Sequence, residues 1–195
     1  KLLEEEKPDY LTVAFDVHAP TFRHEMFADY KGTRKPMAEE LRQQVPVIKD
    51  VLRAMHIEVI EKAGLEADDL LGTLSHRCEE KGMDVSIISG DRDTLQLATE
   101  HIKIRIPKTK QGKTEVEDYY AADVQERYGV TPKEFIDVKA LMGDTADNIP
   151  GVPGVGEKTA TKIIQQYQTI ENAYEHVDEL KPPRASKNLK EFWEQ

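Results

Sequence analysis

The sequence predicts a two-part α/β protein, a doubly wound and mainly parallel sheet over residues 1–120 followed by a helical region over 121–195. Three observations predict it. Short β-rich apolar runs recur at residues 10–15, 57–60, 85–89 and 102–106. Helical periodicity fills the intervals between them, and strand–helix–strand alternation implies parallel pairing. After residue 118 no strand pattern remains.

Taken in order, residues 1–7 read as the tail of a helix, and YLTVAF at 10–15 as a buried strand. Leu41, Val45, Ile48, Val51, Leu52 and Met55 fall at helical spacing, with Pro46 predicting a kink or two helices. Residues 57–60 form the second strand, and 67–81 an amphipathic helix that Gly82 closes. Cys78 shares a stripe of that helix with Leu70, Leu71 and Leu74, which predicts plain core packing. VSIIS at 85–89 is the third strand, and a helix through Leu95, Leu97 and Ala98 follows. The run 102–106 alternates as a fourth strand, and Gln111-Gly112 turns a basic hairpin. Residues 123–128, 133–142, 157–167, 170–176 and 186–194 all read as helices.

Composition narrows the function classes. Mean hydropathy is -0.62 and no apolar run is long enough to span a bilayer, so neither a membrane span nor a signal peptide is expected. A single cysteine excludes an intramolecular disulfide and a CxxC zinc site, and points to a reducing cytoplasm. Thirty-seven acids against 27 bases give a net charge of -10, which on its face opposes nucleic-acid binding. The distribution is uneven, however: residues 101–114 carry five bases and 181–190 carry four, and neither stretch holds an acid.

The acids cluster. Asp16 follows the first strand, Glu66, Asp68 and Asp69 open the helix after the second, and Asp91 and Asp93 follow the third. Asp144 and Asp147 lie in a loop between two later helices. Ligands of an open parallel sheet bind outside the carboxyl ends of its strands, where three of these four clusters fall. Converging carboxylates repel unless cations neutralise them, and an oxygen-only set suits Mg²⁺ or Mn²⁺. Two such ions about 4 Å apart clamp an in-line displacement at phosphorus. Each cluster alone also reads as a helix cap or a turn; their recurrence at strand ends favours the metal.

Two further segments point to nucleic acid. Gly151, Gly154 and Gly156 precede a helix that carries Lys158, Thr159 and Lys162, so backbone N–H groups can approach a phosphate there. The spacing is not that of a Walker loop. It reads either as a tight helix–helix turn or as a helix-hairpin-helix gripping a nucleic-acid backbone. In FRHEMFADYKGTRKP, at 22–36, Arg23, His24, Lys31, Arg34 and Lys35 alternate with Phe22, Phe27 and Tyr30. That pattern suits a single strand, where bases stack and phosphates pair, and also suits a solvated helical face. The remaining histidines show no metal-ligand spacing.

FRHExFxDYKGxR, EADDLLGTL, SGDRDTLQL and LMGDTADNIPGVPGVGEKTA together resemble the structure-specific 5′-nuclease (flap endonuclease) family, which includes the 5′–3′ exonuclease domain of bacterial DNA polymerase I. The resemblance runs from about residue 1 to 190. It implies a PIN-like α/β domain with a helical arch at about 22–50, followed by a helix-three-turn-helix DNA-binding region with its hairpin at 150–160. It further implies one metal site at Asp16, Glu66, Asp68 and Asp69 and a second at Asp91, Asp93, Asp144 and Asp147, with Asp68 bridging. Lys31 and Arg34 would assist at the scissile phosphate. Arg23, His24, Tyr30, Lys31 and Arg34 of the arch would meet DNA, as would Gly151, Gly154, Gly156, Lys158, Thr159 and Lys162 of the hairpin, where K⁺ would sit on backbone oxygens.

The family opens with a strand of the LxDGN type that ends in a metal-ligand Asp. This chain begins in what corresponds to the end of the next helix, so the resemblance implies that the opening strand is missing. The implied activity is metal-dependent hydrolysis of 5′ ends and flaps on nicked or branched DNA, by a monomeric domain naturally fused to polymerase domains in the bacterial cytoplasm. The alternative is a DNA-structure-binding fragment without catalysis. A phosphohydrolase with a nucleophilic Asp would need a second Asp two residues after Asp16, where His18 stands.

Overall fold

The computed structural model describes residues 2–110 and 112–193. Helix α1 (Leu2–Glu6) leads to strand β1 (Thr12–Ala14), a short helix α2 (Phe22–Met26), helix α3 (Glu39–Ala54) and strand β2 (Glu58–Ile60). Helix α4 (Ala67–Glu79), strand β3 (Val85–Ile88), a 3₁₀ turn (Arg92–Leu97), and strands β4 (Ile102–Lys110) and β5 (Lys113–Tyr119) complete the α/β part. The helical part holds α5 (Ala121–Tyr128), α6 (Pro132–Met142), α7 (Glu157–Tyr167), α8 (Ile170–Glu175), a 3₁₀ turn (Val177–Glu179) and α9 (Pro183–Trp193).

The strands are those expected, but they form two sheets rather than one. β1 pairs with β2 in parallel, Val13 opposite Val59. β3 pairs with β4 in parallel, and β4 with β5 antiparallel through the tight turn at Gly112. Gln111 of the expected turn lies outside the described residues. Ile102, Ile104 and Ile106 alternate inward and are buried, and with Ile87, Leu95, Val138 and Ile164 they build a core that joins the three-stranded sheet to the helices. The alternate residues Lys103 and Arg105 face the other way, onto α1: Lys103 lies 3.1 Å from Glu6, and Arg105 pairs with both Glu6 and Asp118.

Three expectations change. Pro46 lies inside one uninterrupted helix, α3. The apolar side of α3 stays largely in solvent, with Leu41, Ile48, Val51 and Met55 about half exposed, because α3 packs mainly against the short strand β2. Cys78 is half-buried, and on α4 only Leu71 reaches the main core. The base-rich stretch at 101–114 is also less basic in space than in sequence, since Lys108 pairs with Glu117 across the ladder at 2.6 Å and Arg105 with Asp118 at 2.8 Å.

Local chemistry stops and starts the helices that carry the site. Gly82, at φ +76, ends α4 in a left-handed turn with Met83 N–H donating to Cys78. Thr131 caps α6 reciprocally with Glu134, and Pro132 occupies its first turn.

Candidate active site

Each acidic cluster lies where the chain leaves a strand or enters a helix. Asp16, just past β1, accepts a 2.7 Å hydrogen bond from the Ala67 N–H, which ties the end of β1 to the start of α4. Glu66 is the N-cap of α4, with Asp68 and Asp69 in its first turn. Asp69 closes back on the Glu66 N–H at 2.9 Å. Asp91 caps the 3₁₀ turn after β3 by accepting from the Asp93 N–H. Asp144 and Asp147 sit in the turn after α6, pinned by the reciprocal Asp144–Ile149 backbone pair at 2.9 and 2.8 Å.

That last turn exists only because two glycines let the chain cross itself. Gly143 has φ +73, and a Cβ on Gly151 would stand 2.2 Å from the Met142 carbonyl carbon. No side chain fits there.

The segment expected to face DNA folds over these carboxylates. Arg23 makes a bidentate pair with Asp69 at 2.8 and 2.9 Å. Lys31 Nζ lies 2.6 Å from Glu66, and its backbone N–H donates to the Asp147 carbonyl. Arg34 pairs with Asp147 and donates to the Ala146 carbonyl at 3.2 Å. Asn148 donates to the Asp29 carbonyl at 2.8 Å, stitching the two turns together.

Tyr30 is placed inward rather than toward a strand. Its ring is buried, and its hydroxyl lies 3.0 Å from Glu66 and 3.1 Å from Asp147, so it holds two carboxylates from distant parts of the chain. His24 pairs with Thr21 and packs edge-on against Tyr30. Exposed charge remains at the other segment, where Lys158 and Lys162 project from the first turns of α7 beside the turn containing Gly151, Gly154 and Gly156. Thr159 beside them is half-buried.

Electrostatics divides the carboxylates into two groups. Arg23 holds Asp69 below the ordinary carboxylate range. Burial would raise Asp144, but hydrogen bonds from Lys139 and from the Ala146 and Asp147 N–H groups bring it below that range. Asp68 makes no hydrogen bond or ion pair among the described residues. Loss of hydration, then the charges of Asp91, Asp16 and Glu66, push its carboxyl up to about 6. Asp93 is raised as well, by burial first, with Asp91 and Asp144 adding to it and Lys139 opposing.

The donor set therefore fits a hard divalent cation in kind: oxygens only, with Asp16, Asp68 and Asp91 in no ion pair among the described residues. It is not a preformed cage. Among the described residues no three Asp, Glu, His or Cys side chains lie close enough together to hold a metal ion, because several of the carboxylates are drawn onto Arg23, Lys31, Arg34 and Lys139 instead. Sequence reasoning missed Lys139 altogether. Its one signal was a base in the last turn of a helix, which the helix dipole already accounts for.

The architecture is a mixed α/β part with carboxylates just past its strand ends, followed by a helical part with a glycine-rich turn. It is that of a nuclease family: the chain belongs to the 5′–3′ exonuclease family. Residues 1–129 match the family's N-terminal resolvase-like domain, and residues 130–195 match its C-terminal SAM fold. The chain is 47% identical over 194 residues to DNA polymerase I of Bacillus caldotenax, covering 100% of this chain and 22% of that protein. It is 46% identical over 195 residues to DNA polymerase I of Bacillus subtilis (strain 168), with the same coverages of 100% and 22%. The chain thus spans 22% of the length of these relatives.

Among solved structures, the T5 5′-exonuclease with bound zinc ions superposes with a TM-score of 0.81 at 26% identity, over 96% of this chain and 71% of that one. The T5 D15 protein co-crystallised with metal ions gives 0.80 at 25% identity, over 96% and 73%. The catalytic core of Rad2 in complex with DNA substrate shares the fold, with a TM-score of 0.58 at 20% identity over 86% and 51%. No helix among the described residues is long and apolar enough to cross a membrane.

Proposed function

We propose that the chain is the 5′-nuclease portion of a bacterial DNA polymerase I, hydrolysing phosphodiesters at 5′ ends and 5′ flaps of nicked or branched DNA with Mg²⁺ or Mn²⁺. Primer removal and flap processing in replication and repair are the corresponding tasks, carried out in the cytoplasm by a monomeric domain fused to polymerase domains. One observation carries this reading: Asp16 and Asp91, from two other chain turns, lie near enough to Asp68 to act on its carboxyl, none of the three is ion-paired among the described residues, and Lys31 and Arg34 pair with the neighbouring Glu66 and Asp147.

Asp16, Glu66, Asp68 and Asp69 would hold one ion, and Asp91, Asp93, Asp144 and Asp147 the other, with Asp68 between them. Divalent cations bound there supply Lewis acidity and a nucleophile active at neutral pH. The protein's own part is positioning and charge. Lys31 and Arg34 pair with Glu66 and Asp147, and from there their charge would meet the charge developing on the phosphoryl oxygens of a bound substrate. Tyr30 keeps Glu66 and Asp147 in place from behind. Lys158, Lys162 and the backbone of the 151–156 turn would grip the duplex without reading its sequence, and K⁺ on that turn's carbonyls would complete the grip.

The test is replacement of Asp68 or Asp91 by Asn. Each should lower the rate on a 5′-flap duplex on the order of 100-fold or more while leaving most of the DNA affinity. Wild-type turnover in both variants would sink the assignment.

A further inference from the structure

Asn148 lies between the two segments that would meet DNA. The glycine-rich turn 151–156 begins three residues after it, and the turn that carries Lys31 and Arg34 is bonded to it from the other side. Its side-chain amide donates to the Asp29 carbonyl at 2.8 Å, across 119 residues of chain. Beside that bond, the Lys31 N–H donates to the Asp147 carbonyl, also at 2.8 Å. The Asp29 carbonyl accepts from the Gly32 N–H as well, at 2.9 Å, so the Asn148 amide closes on the atom that shapes the 29–32 turn.

This two-point clamp is firmly rooted on one side only. On the side of Asn148, the reciprocal Asp144–Ile149 pair, the Gly143–Gly151 crossing and a bond from the Val152 N–H to Leu141 fix the turn to α6. Val152 and Val155 then bury themselves in the core. On the other side, among the described residues, two backbone hydrogen bonds tie 22–36 to the rest of the chain, from Phe22 to Gly64 and from Lys31 to Asp147. The side-chain ties are mostly ionic, and ion pairs near the surface weaken with salt, whereas an amide–carbonyl bond has no net charge to screen. Each of the facing turns also holds a non-glycine residue in left-handed backbone, Lys31 at φ 55 and Asn148 at φ 58. Asn accepts that conformation more readily than most residues, and here it supplies the donor too.

We propose that Asn148 is a positioning residue that determines which phosphodiester is cut. It sets the spacing between Lys31 and Arg34, which would act at the scissile phosphate, and the 151–156 turn, which would hold the duplex. Where the duplex is held then fixes which bond along the strand comes under Lys31 and Arg34. Asn148 acts through the Asp29 carbonyl rather than on the phosphate. The inference rests on the nuclease reading above.

The test compares wild type, Asn148→Gly and Gly32→Ala on an end-labelled 5′-flap duplex with Mn²⁺, reading the position of every cut. N148G keeps the left-handed backbone and removes only the amide. G32A presses on the same carbonyl from the facing turn, since its Cβ would stand 3.0 Å from the Asp29 oxygen. Both variants should bind the flap within about threefold of wild type, because the groups that would grip phosphates are untouched. Cutting at the wild-type bond should fall by about tenfold or more while neighbouring bonds are cut more, as a displacement of about 1 Å can cost on the order of 100-fold. The double variant should lose little more than either alone, since both act through one carbonyl. A merely structural Asn148 would lower the melting temperature and the rate at every bond alike, and unchanged proportions of cuts overturn the proposal.

Amide hydrogen exchange in EDTA reads the clamp without any cleavage. In N148G the Lys31 amide should exchange about tenfold faster or more, while the Asp144 and Ile149 amides keep their wild-type rates. Equal Lys31 exchange in the two proteins overturns the proposal. Where N148G does not fold, G32A decides the matter through its cut positions. An active wild type whose cuts move in neither variant defeats this proposal alone, whereas no cleavage by wild type at any Mn²⁺ concentration defeats the nuclease reading with it.

Discussion

Replacing Tyr30 with Phe separates two accounts of the same residue. If the ring served to stack on DNA, Phe would substitute for it and stability would not change. In the structure the ring is buried and the hydroxyl lies 3.0 Å from Glu66 and 3.1 Å from Asp147. A hydrogen bond to a charged acceptor contributes about 1.5–3 kcal/mol, and its loss leaves two carboxylates less well satisfied in a half-buried place. For a chain of this size each kcal/mol moves the melting temperature by about 2–4 °C, so Y30F should melt about 3–12 °C lower in EDTA. Lys31 and Arg34 continue to neutralise the same carboxylates, which favours the lower end of that range. Circular dichroism melts supply the stability, and calorimetry supplies Mn²⁺ affinity, which should weaken about 10–100-fold as for other groups that orient metal ligands. A melting temperature within about 1 °C of wild type, with unchanged ion affinity, refutes the assignment.

The remaining predictions concern the loop, the charges and pH. Gly151→Ala should destabilise by about 3 kcal/mol or more, because its Cβ has only the Met142 carbonyl to occupy, and it should weaken ion binding by moving Asp144 and Asp147. Thermal melts and calorimetry check both effects. Lys158→Ala and Lys162→Ala should each weaken flap binding irrespective of sequence and lower the slope of log affinity against log salt by about 1. In EDTA the melting temperature should fall as pH rises through about 6, since the Asp68 carboxyl, raised from 3.8, ionises there against its neighbours. The raised value means that protonation favours the folded state, so D68N or added Mn²⁺ should flatten that limb. Glu117, held down to about 2 by Lys108 and Tyr119, has the opposite sign, and its contribution is lost only as pH falls below the ordinary carboxylate range.

Much of this architecture was legible in the sequence because apolar runs and punctuating residues act locally. The order of strands and helices followed from period and from residues such as Gly82, Thr131 and Pro132. The grouping of strands was not legible, since nothing in the run 10–15 or 85–89 encodes which edges meet across space. Of the two expectations for Pro46, two separate helices do not form, and the proline sits within one continuous helix. The placing of the carboxylates just past strand ends and at helix starts was readable, because it follows from where each local element stops. Their partners were not. Arg23 meets Asp69, 46 residues away, and Arg34 meets Asp147, 113 residues away. For the same reason Tyr30 and the bases of 22–36 read as a strand-binding surface, although several of them close over the acids. The apparent basic hairpin lost much of its charge to Glu117 and Asp118 because strand register, invisible in composition, sets them opposite Ile106 and Arg105.

The most direct test of the whole account is cleavage of a labelled 5′-flap duplex by this chain and by its D68N variant, with Mg²⁺ or Mn²⁺ titrated against EDTA. The account predicts cleavage near the flap junction that requires the divalent ion and is lost in D68N while flap binding persists. Cleavage that proceeds equally in EDTA or in D68N, or flap binding with no cleavage at any ion concentration, contradicts it.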